Sequence, residues 1–172
     1  MDNTRPIRPK WLFVALGLAA VAILLGAVYL AGNFFLPGAI KSGYQARQCE
    51  RVLELSQWYG RFYSAASVER SGVPKLTAEC SAYQLAFAWQ EQKAWQEAYN
   101  AYKAYIETYP GGILFAEARA NAVQVLSDWA GEQQAQKKYG EALANLNLIT
   151  QNYADTAGAQ QVGAQVDGLY TA

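Results

Sequence analysis

Histidine is absent from this sequence. That removes the commonest general base and the commonest metal ligand. Ser-His and Cys-His nucleophilic pairs are excluded with it. Cysteine occurs only at Cys49 and Cys80, and two thiolates alone do not close a four-ligand zinc site. There is no GxxxxGK loop followed by Ser or Thr and no GxGxxG loop, so no phosphate cradle of either kind is expected. Glu91 and Glu97 flank one turn, but nothing sets them up as an acid/base pair. No catalytic, cofactor-binding or metal-binding residue is assigned, and an enzyme is not expected. Neither sign of charge dominates. Lys+Arg and Asp+Glu are 14 each, and the part after Leu36 holds 11 basic and 13 acidic residues. That leaves no electrostatic footprint for nucleic acid.

One long run is free of charge altogether. Residues 1–10 form a short basic tail with Arg5, Arg8 and Lys10, kept from helix by Pro6 and Pro9. Trp11 to Leu36 is then 26 residues without a charge, where a bilayer core needs about 20 in a helix. Trp11 stands at one end, and Tyr29, Phe34 and Phe35 stand toward the other, as interfacial aromatics do. A signal peptide has a shorter apolar region, about 7–15 residues, with a small-x-small site after it. The expectation is therefore an uncleaved single-pass anchor over 11–36. Arg5, Arg8 and Lys10 precede the run, and Lys41, Arg47 and Arg51 follow it. The leading charges are closer and denser, which places the N-terminus in the cytoplasm and the rest outside. Ala15, Ala19, Ala22 and Gly26 make a seam of small residues, continued by Tyr29 and Asn33. Such a seam suits packing against another membrane helix, although alanine and glycine are also common in any span.

Residues 42–172 read as a helical domain. Leu36-Pro37-Gly38 is expected to end the span, with a new helix near Ser42 or Gly43. Val52, Leu55, Trp58, Tyr59, Phe62 and Ala66 give it an apolar stripe, with Gly60 as a point for a bend. Arg70 to Pro74 reads as a loop and Thr77 as the next N-cap, with Glu79 favouring that helix's dipole. From Glu79 to Gly112 the sequence reads ECSAYQLAFAWQEQKAWQEAYNAYKAYIETYPGG. This spells two antiparallel helices turning near Gln92-Lys93. Leu85, Ala86 and Trp89 share one face, and Trp95, Ala98, Tyr102 and Tyr105 share the facing one. Pro110-Gly111-Gly112 stops the second helix.

The large/small pattern, with Trp89, Ala86, Ala98 and the closing Pro110 in step, resembles the tetratricopeptide repeat (TPR), a 34-residue helix–turn–helix unit. Ala82 departs from it, since the family usually has a large residue there. An altered second copy aligns Trp95-Gln96-Glu97-Ala98 with Tyr139-Gly140-Glu141-Ala142 at an offset of 44. The excess over 34 is expected at the hairpin tip, lengthening both arms and giving a long helix from Ile113 to Gln134. Asp155 or Thr156 is expected to cap a last helix carrying Val162, Val166 and Leu169 or Tyr170. The fold class is thus all-α: an N-terminal transmembrane helix followed by a TPR-like array of antiparallel helix hairpins.

The two cysteines pose a geometric question. With neighbouring helices joined near Ser71, residue 80 faces about residue 62, which leaves Cys49 roughly 20 Å away at 1.5 Å per residue. A disulfide needs Cα atoms about 4.4–6.8 Å apart. That spacing favours buried free thiols; a sharp break at Gly60 would bring the pair together. The resemblance implies a groove lined by the first helix of each pair, here Gln84, Phe87 and Ala88, with Asn121, Gln124 and Asp128 on the long helix. The family's two-carboxylate clamp of Lys, Arg and Asn is not recognisable. It further implies a membrane-anchored scaffold that binds or assembles other proteins at the cell envelope, with no cofactor, metal or nucleic acid. The alternative is an accessory structural subunit of a larger membrane complex, held through the seam.

Overall fold

The computed structural model describes residues 10–170. The basic tail expected over residues 1–10 lies outside them, except for Lys10. The described residues form eight helices and no strand. In order they are α1 (Lys10–Gln45), α2 (Cys49–Phe62), α3 (Ala65–Ser71), α4 (Val73–Glu91), α5 (Trp95–Thr108), α6 (Phe115–Ala135), α7 (Tyr139–Asn152) and α8 (Ala157–Tyr170). One of them, α1, is long and apolar enough to cross a membrane.

Helix α1 does not stop at Pro37. It runs on to Gln45 with the proline inside it, which corrects the break expected at Leu36-Pro37-Gly38 and the new helix expected at Ser42. An internal proline removes one backbone hydrogen bond and costs about 3 kcal/mol. Here α2 lies antiparallel along α1 on both sides of the proline. Below it, the Tyr29 and Tyr63 rings stack at 4.8 Å. Tyr59 Oη donates to Asn33 Oδ1 at 3.2 Å, and Tyr63 Oη donates to the Tyr29 carbonyl. Above it, Ile40 is fully buried, and a Cβ on Gly43 would lie 3.5 Å from Val52. A Cβ on Gly32 would overlap the Tyr63 hydroxyl. The close packing of α2 offsets the proline.

Three turns share one geometry. Arg47, Lys93 and Lys137 have φ of 59°, 56° and 63°, the only positive values outside glycine among the described residues. After each, the next N–H reaches back to close the preceding helix: Gln48 to the Gly43 carbonyl, Ala94 to Trp89, Lys138 to Gln133. The left-handed residue itself donates to Tyr44, Gln90 or Gln134. This is the Schellman arrangement, built on Arg or Lys in place of glycine. A helix of 14 residues follows each turn, capped by Tyr63, Tyr109 or Tyr153. Val52, Ala98 and Ala142 are fully buried at the same register, as are Tyr59, Tyr105 and Ile149. The end of α1 with α2, α4 with α5, and α6 with α7 are therefore three successive helix pairs. The interval is 46 positions from Arg47 to Lys93 and 44 from Lys93 to Lys137.

The length beyond 34 is not at the tips. The second arms α5 and α7 are equal, and the excess sits in the first arms, 19 residues in α4 and 21 in α6. Helix α4 begins at Val73, with Pro74 in its first turn, where a missing N–H costs little. The loop expected at Arg70–Pro74 is instead the end of α3, the left-handed Gly72 and the start of α4. Thr77, expected as an N-cap, lies inside α4 and donates to Ser56 Oγ at 2.8 Å. Gly60 does not break α2. At the far end Thr156 Oγ1 accepts from the Ala159 N–H at 3.3 Å and starts α8. The Arg119–Asp155 ion pair pins that corner, and Val162 is buried beneath α8. The side chains of Leu169 and Tyr170 lie outside the described ones.

Cys49 and Cys80 form a disulfide, with S–S 2.05 Å and Cα–Cα 5.1 Å. This corrects the expectation of free thiols. The expectation assumed that α2 ran on to a turn at Ser71. Because α2 ends at Phe62 and α3 takes up the connection, the register between α2 and α4 shifts until the two cysteines meet. Closing a loop of 31 residues stabilises the fold by about 3–4 kcal/mol in the chain-entropy account. We expect Cys49→Ser with Cys80→Ser to lower the melting temperature by about 10 °C, matched by reductant on the native chain and read by circular dichroism. An unchanged melting temperature would contradict the covalent link between α2 and α4.

Candidate functional site

Of the six groove residues expected from the sequence, four are exposed and two half-buried. Phe87 and Ala88 are exposed on α4, and Gln84 is half-buried in a shallow cleft shared with Arg47, Gln48 and Arg51 at the first turn. Gln124 and Asp128 are exposed on α6 and bonded to each other at 2.8 Å. Asn121 turns inward. Its Nδ2 donates to Tyr83 Oη at 2.9 Å and Tyr102 Oη at 3.2 Å. Leu85, expected inside the α4–α5 hairpin, is 55 % exposed, and Phe87 is 40 % exposed. Leu85 borders a shallow apolar cleft with Ala82, Ala101, Ala104 and Tyr109. The array thus offers apolar surface on α4, where Leu85, whose spacing suggested core, joins Phe87, expected in the groove. The seam residues Ala15, Ala19, Ala22 and Gly26 are all exposed on α1.

The most densely bonded group is one that sequence reasoning assigned only to a helix dipole. Glu79 lies inside α4 with 7 % of its surface exposed. Tyr44 Oη, from the end of α1, donates to Oε2 at 2.6 Å. Tyr105 Oη, from α5, donates to Oε1 at 2.8 Å. The Ile113 N–H, in the α5–α6 connection, donates to Oε1 at 3.0 Å. A Cβ on Gly112 would lie 2.5 Å from that same oxygen, so only glycine lets the connection approach. The available signal was the register: Glu79 and Tyr83 share the face of Ala86, and a glycine pair follows Pro110.

A second polar chain runs beside it. Tyr83 Oη donates to Glu117 at 2.9 Å and Tyr102 Oη donates to Gln90 at 2.8 Å, with Asn121 bridging the two tyrosines. Burial, first of all, pushes the Tyr102 phenol up to about 12. Burial also pushes Tyr83 and Tyr105 up, and their hydrogen bonds to Glu117 and Glu79 add to it. These phenols stay protonated through the physiological range and serve as donors. Asn33 and Tyr59 repeat the Glu79–Tyr105 contact one helix pair earlier, since both residues lie 46 positions before their counterparts. In the last pair that register holds Val123 and Ile149, both apolar. The arrangement holds helices in register. Among the described residues, no group of three or more His, Cys, Asp or Glu side chains is placed to hold a metal ion.

We expect Glu79→Gln to destabilise the fold by about 1–3 kcal/mol, because it weakens three bonds to a carboxylate and forces the Tyr44 hydroxyl to turn from donor to acceptor. Tyr44→Phe, which removes one donor and leaves the carboxylate two others, is expected to cost about 1 kcal/mol. Urea denaturation of both variants checks the order; Glu79→Gln as benign as Tyr44→Phe would contradict it. No family model matches the chain, and no curated protein and no solved structure matches it.

Proposed function

We propose that this chain is a single-pass membrane protein whose TPR-like helical array binds or organises other proteins at the cell envelope. The observation that carries the reading is the continuity of α1, whose apolar part is long enough to span a membrane and whose last turns are the first arm of the first helix pair. An array built this way is held at the membrane surface without a linker. Three successive pairs meet the number usually needed to bury a continuous core in a repeat array. The intervals of 46 and 44 exceed the 34 of the TPR, so the likeness lies in the hairpins and their packing. Exposed Leu85 and Phe87 supply apolar area for a protein partner.

The N-terminus lies in the cytoplasm and the array outside in this reading. The basic residues before the span support that orientation. So does the Cys49–Cys80 bond, since disulfides persist in oxidising compartments. A cysteine introduced at exposed Lys103 is expected to react with a membrane-impermeant maleimide in intact cells. Reaction only after lysis would contradict the orientation.

The second reading, an accessory subunit of a larger membrane complex, is favoured by the exposed small-residue seam of α1. Purification of the tagged chain in mild detergent separates the two. Soluble or envelope proteins lost on Leu85→Glu with Phe87→Glu support the scaffold. Stoichiometric membrane subunits lost on Ala19→Leu with Gly26→Leu favour the accessory subunit. No retained protein in either case would contradict both.

A further inference from the structure

We propose that the cleft between α1 and α3 binds the phosphate headgroup of an anionic phospholipid in the leaflet next to the array. The inference rests on the reading that α1 spans the membrane. The cleft is shallow and open, with a volume of about 360 Å³, and its lining includes Asn33, Phe34, Lys41, Tyr59, Ser67 and Arg70. No acidic residue lines it. Neither Lys41 nor Arg70 has an ion pair among the described residues.

Its donors are uncommitted in a telling way. Arg70 spends Nε on the Ala66 carbonyl, which leaves both terminal guanidinium nitrogens to grip an oxyanion. Asn33 spends Oδ1 on Tyr59, which leaves its amide nitrogen as a donor. Lys41 is a flexible point charge on the wall. Two cations and an amide around one small cleft match a monoanionic phosphate diester.

The position identifies the source of that phosphate. Phe34 and Phe35 are 79 % and 76 % exposed and mark where α1 leaves the apolar zone. Lys41 follows Phe34 by about 10 Å along the helix axis, a separation its flexible stem can shorten to reach the headgroup layer. Helix α2 returns toward the bilayer, and its Trp58 and Phe62 rings, stacked at 5.4 Å, are exposed near its lower end. With α1 in the membrane, lipid phosphates are the anions at the height of the cleft. Phe34, at its lower edge, is placed to meet the glycerol and upper acyl carbons.

The test uses the full chain with vesicles of phosphatidylcholine, alone or with a minor fraction of phosphatidylglycerol. Flotation establishes insertion, and native mass spectrometry after mild detergent extraction reads which lipid stays bound. The native chain is expected to float with both vesicles and to retain phosphatidylglycerol over phosphatidylcholine. Lys41→Gln with Arg70→Gln is expected to reduce that preference roughly ten- to thirty-fold. Arg47→Gln with Arg51→Gln, the same charge change farther from the span, is expected to leave it intact. Thermal melts confirm that both variants fold. Flotation without lipid preference, or a preference equally lost in the Arg47/Arg51 variant, would overturn the cleft and leave the span standing; displacement of the lipid by inorganic phosphate would overturn the lipid as the source of the bound phosphate. Failure to float would overturn both.

Discussion

A carboxylate taken out of water must be met by donors, and Glu79 is met by three segments at once. Tyr44 comes from the end of α1, Tyr105 from α5 and the Ile113 N–H from the approach to α6. Removing any of them leaves a charge or a donor poorly answered in a low-dielectric interior. The next residue in the chain, Cys80, points to a different neighbour and is bonded covalently to α2. Two consecutive residues of α4 therefore tie it to α1, α2, α5 and the start of α6. The other contacts of the array fill in around that knot. Gly112 is small because Glu79 is there, and the α4 register is fixed because both residues must reach their partners.

Much of the array could be read from the sequence, and the parts that could not have identifiable causes. The α4–α5 and α6–α7 pairs were legible because Ala98, Tyr102 and Tyr105, and then Ala142, Leu146 and Ile149, recur at helical spacing after a polar turn. The first pair was hidden twice. Its first arm is the tail of an uncharged run, and Pro37-Gly38 reads as a stop; the packing of α2 on both sides of the proline lets the helix continue. The disulfide was missed because α3, seven residues from Ala65 to Ser71, lacks the length to show a period. Of the expected groove, Asn121 belongs to the tyrosine network instead, while Leu85 is exposed where its spacing suggested core. A helix face says which residues are apolar. It does not say which neighbour arrives to cover them.

The functional reading follows from how the array is attached. A flexible linker would let a binding domain search a volume; if α1 spans the membrane as proposed, a helix continuous with the first pair fixes the array's height and orientation instead. That suits contacts with partners confined to the same membrane or lying along it. The protonated tyrosine networks, the disulfide and the repeated Schellman turns are all devices for a fixed shape. The exposed features are the ones such a shape would present: the small-residue seam on α1, the cationic cleft between α1 and α3, and Leu85 with Phe87 on α4.

The rigid continuity of α1 through Pro37 is the central claim, and a distance measurement across it is the most direct test. Spin labels at positions 24 and 103, with the native disulfide kept, place one label in the span and one on α5. Double electron–electron resonance in lipid nanodiscs is expected to give a single narrow distance distribution. A broad or multimodal distribution would show a hinge at Pro37-Gly38, and the array would then be tethered to the membrane instead of built on its anchor.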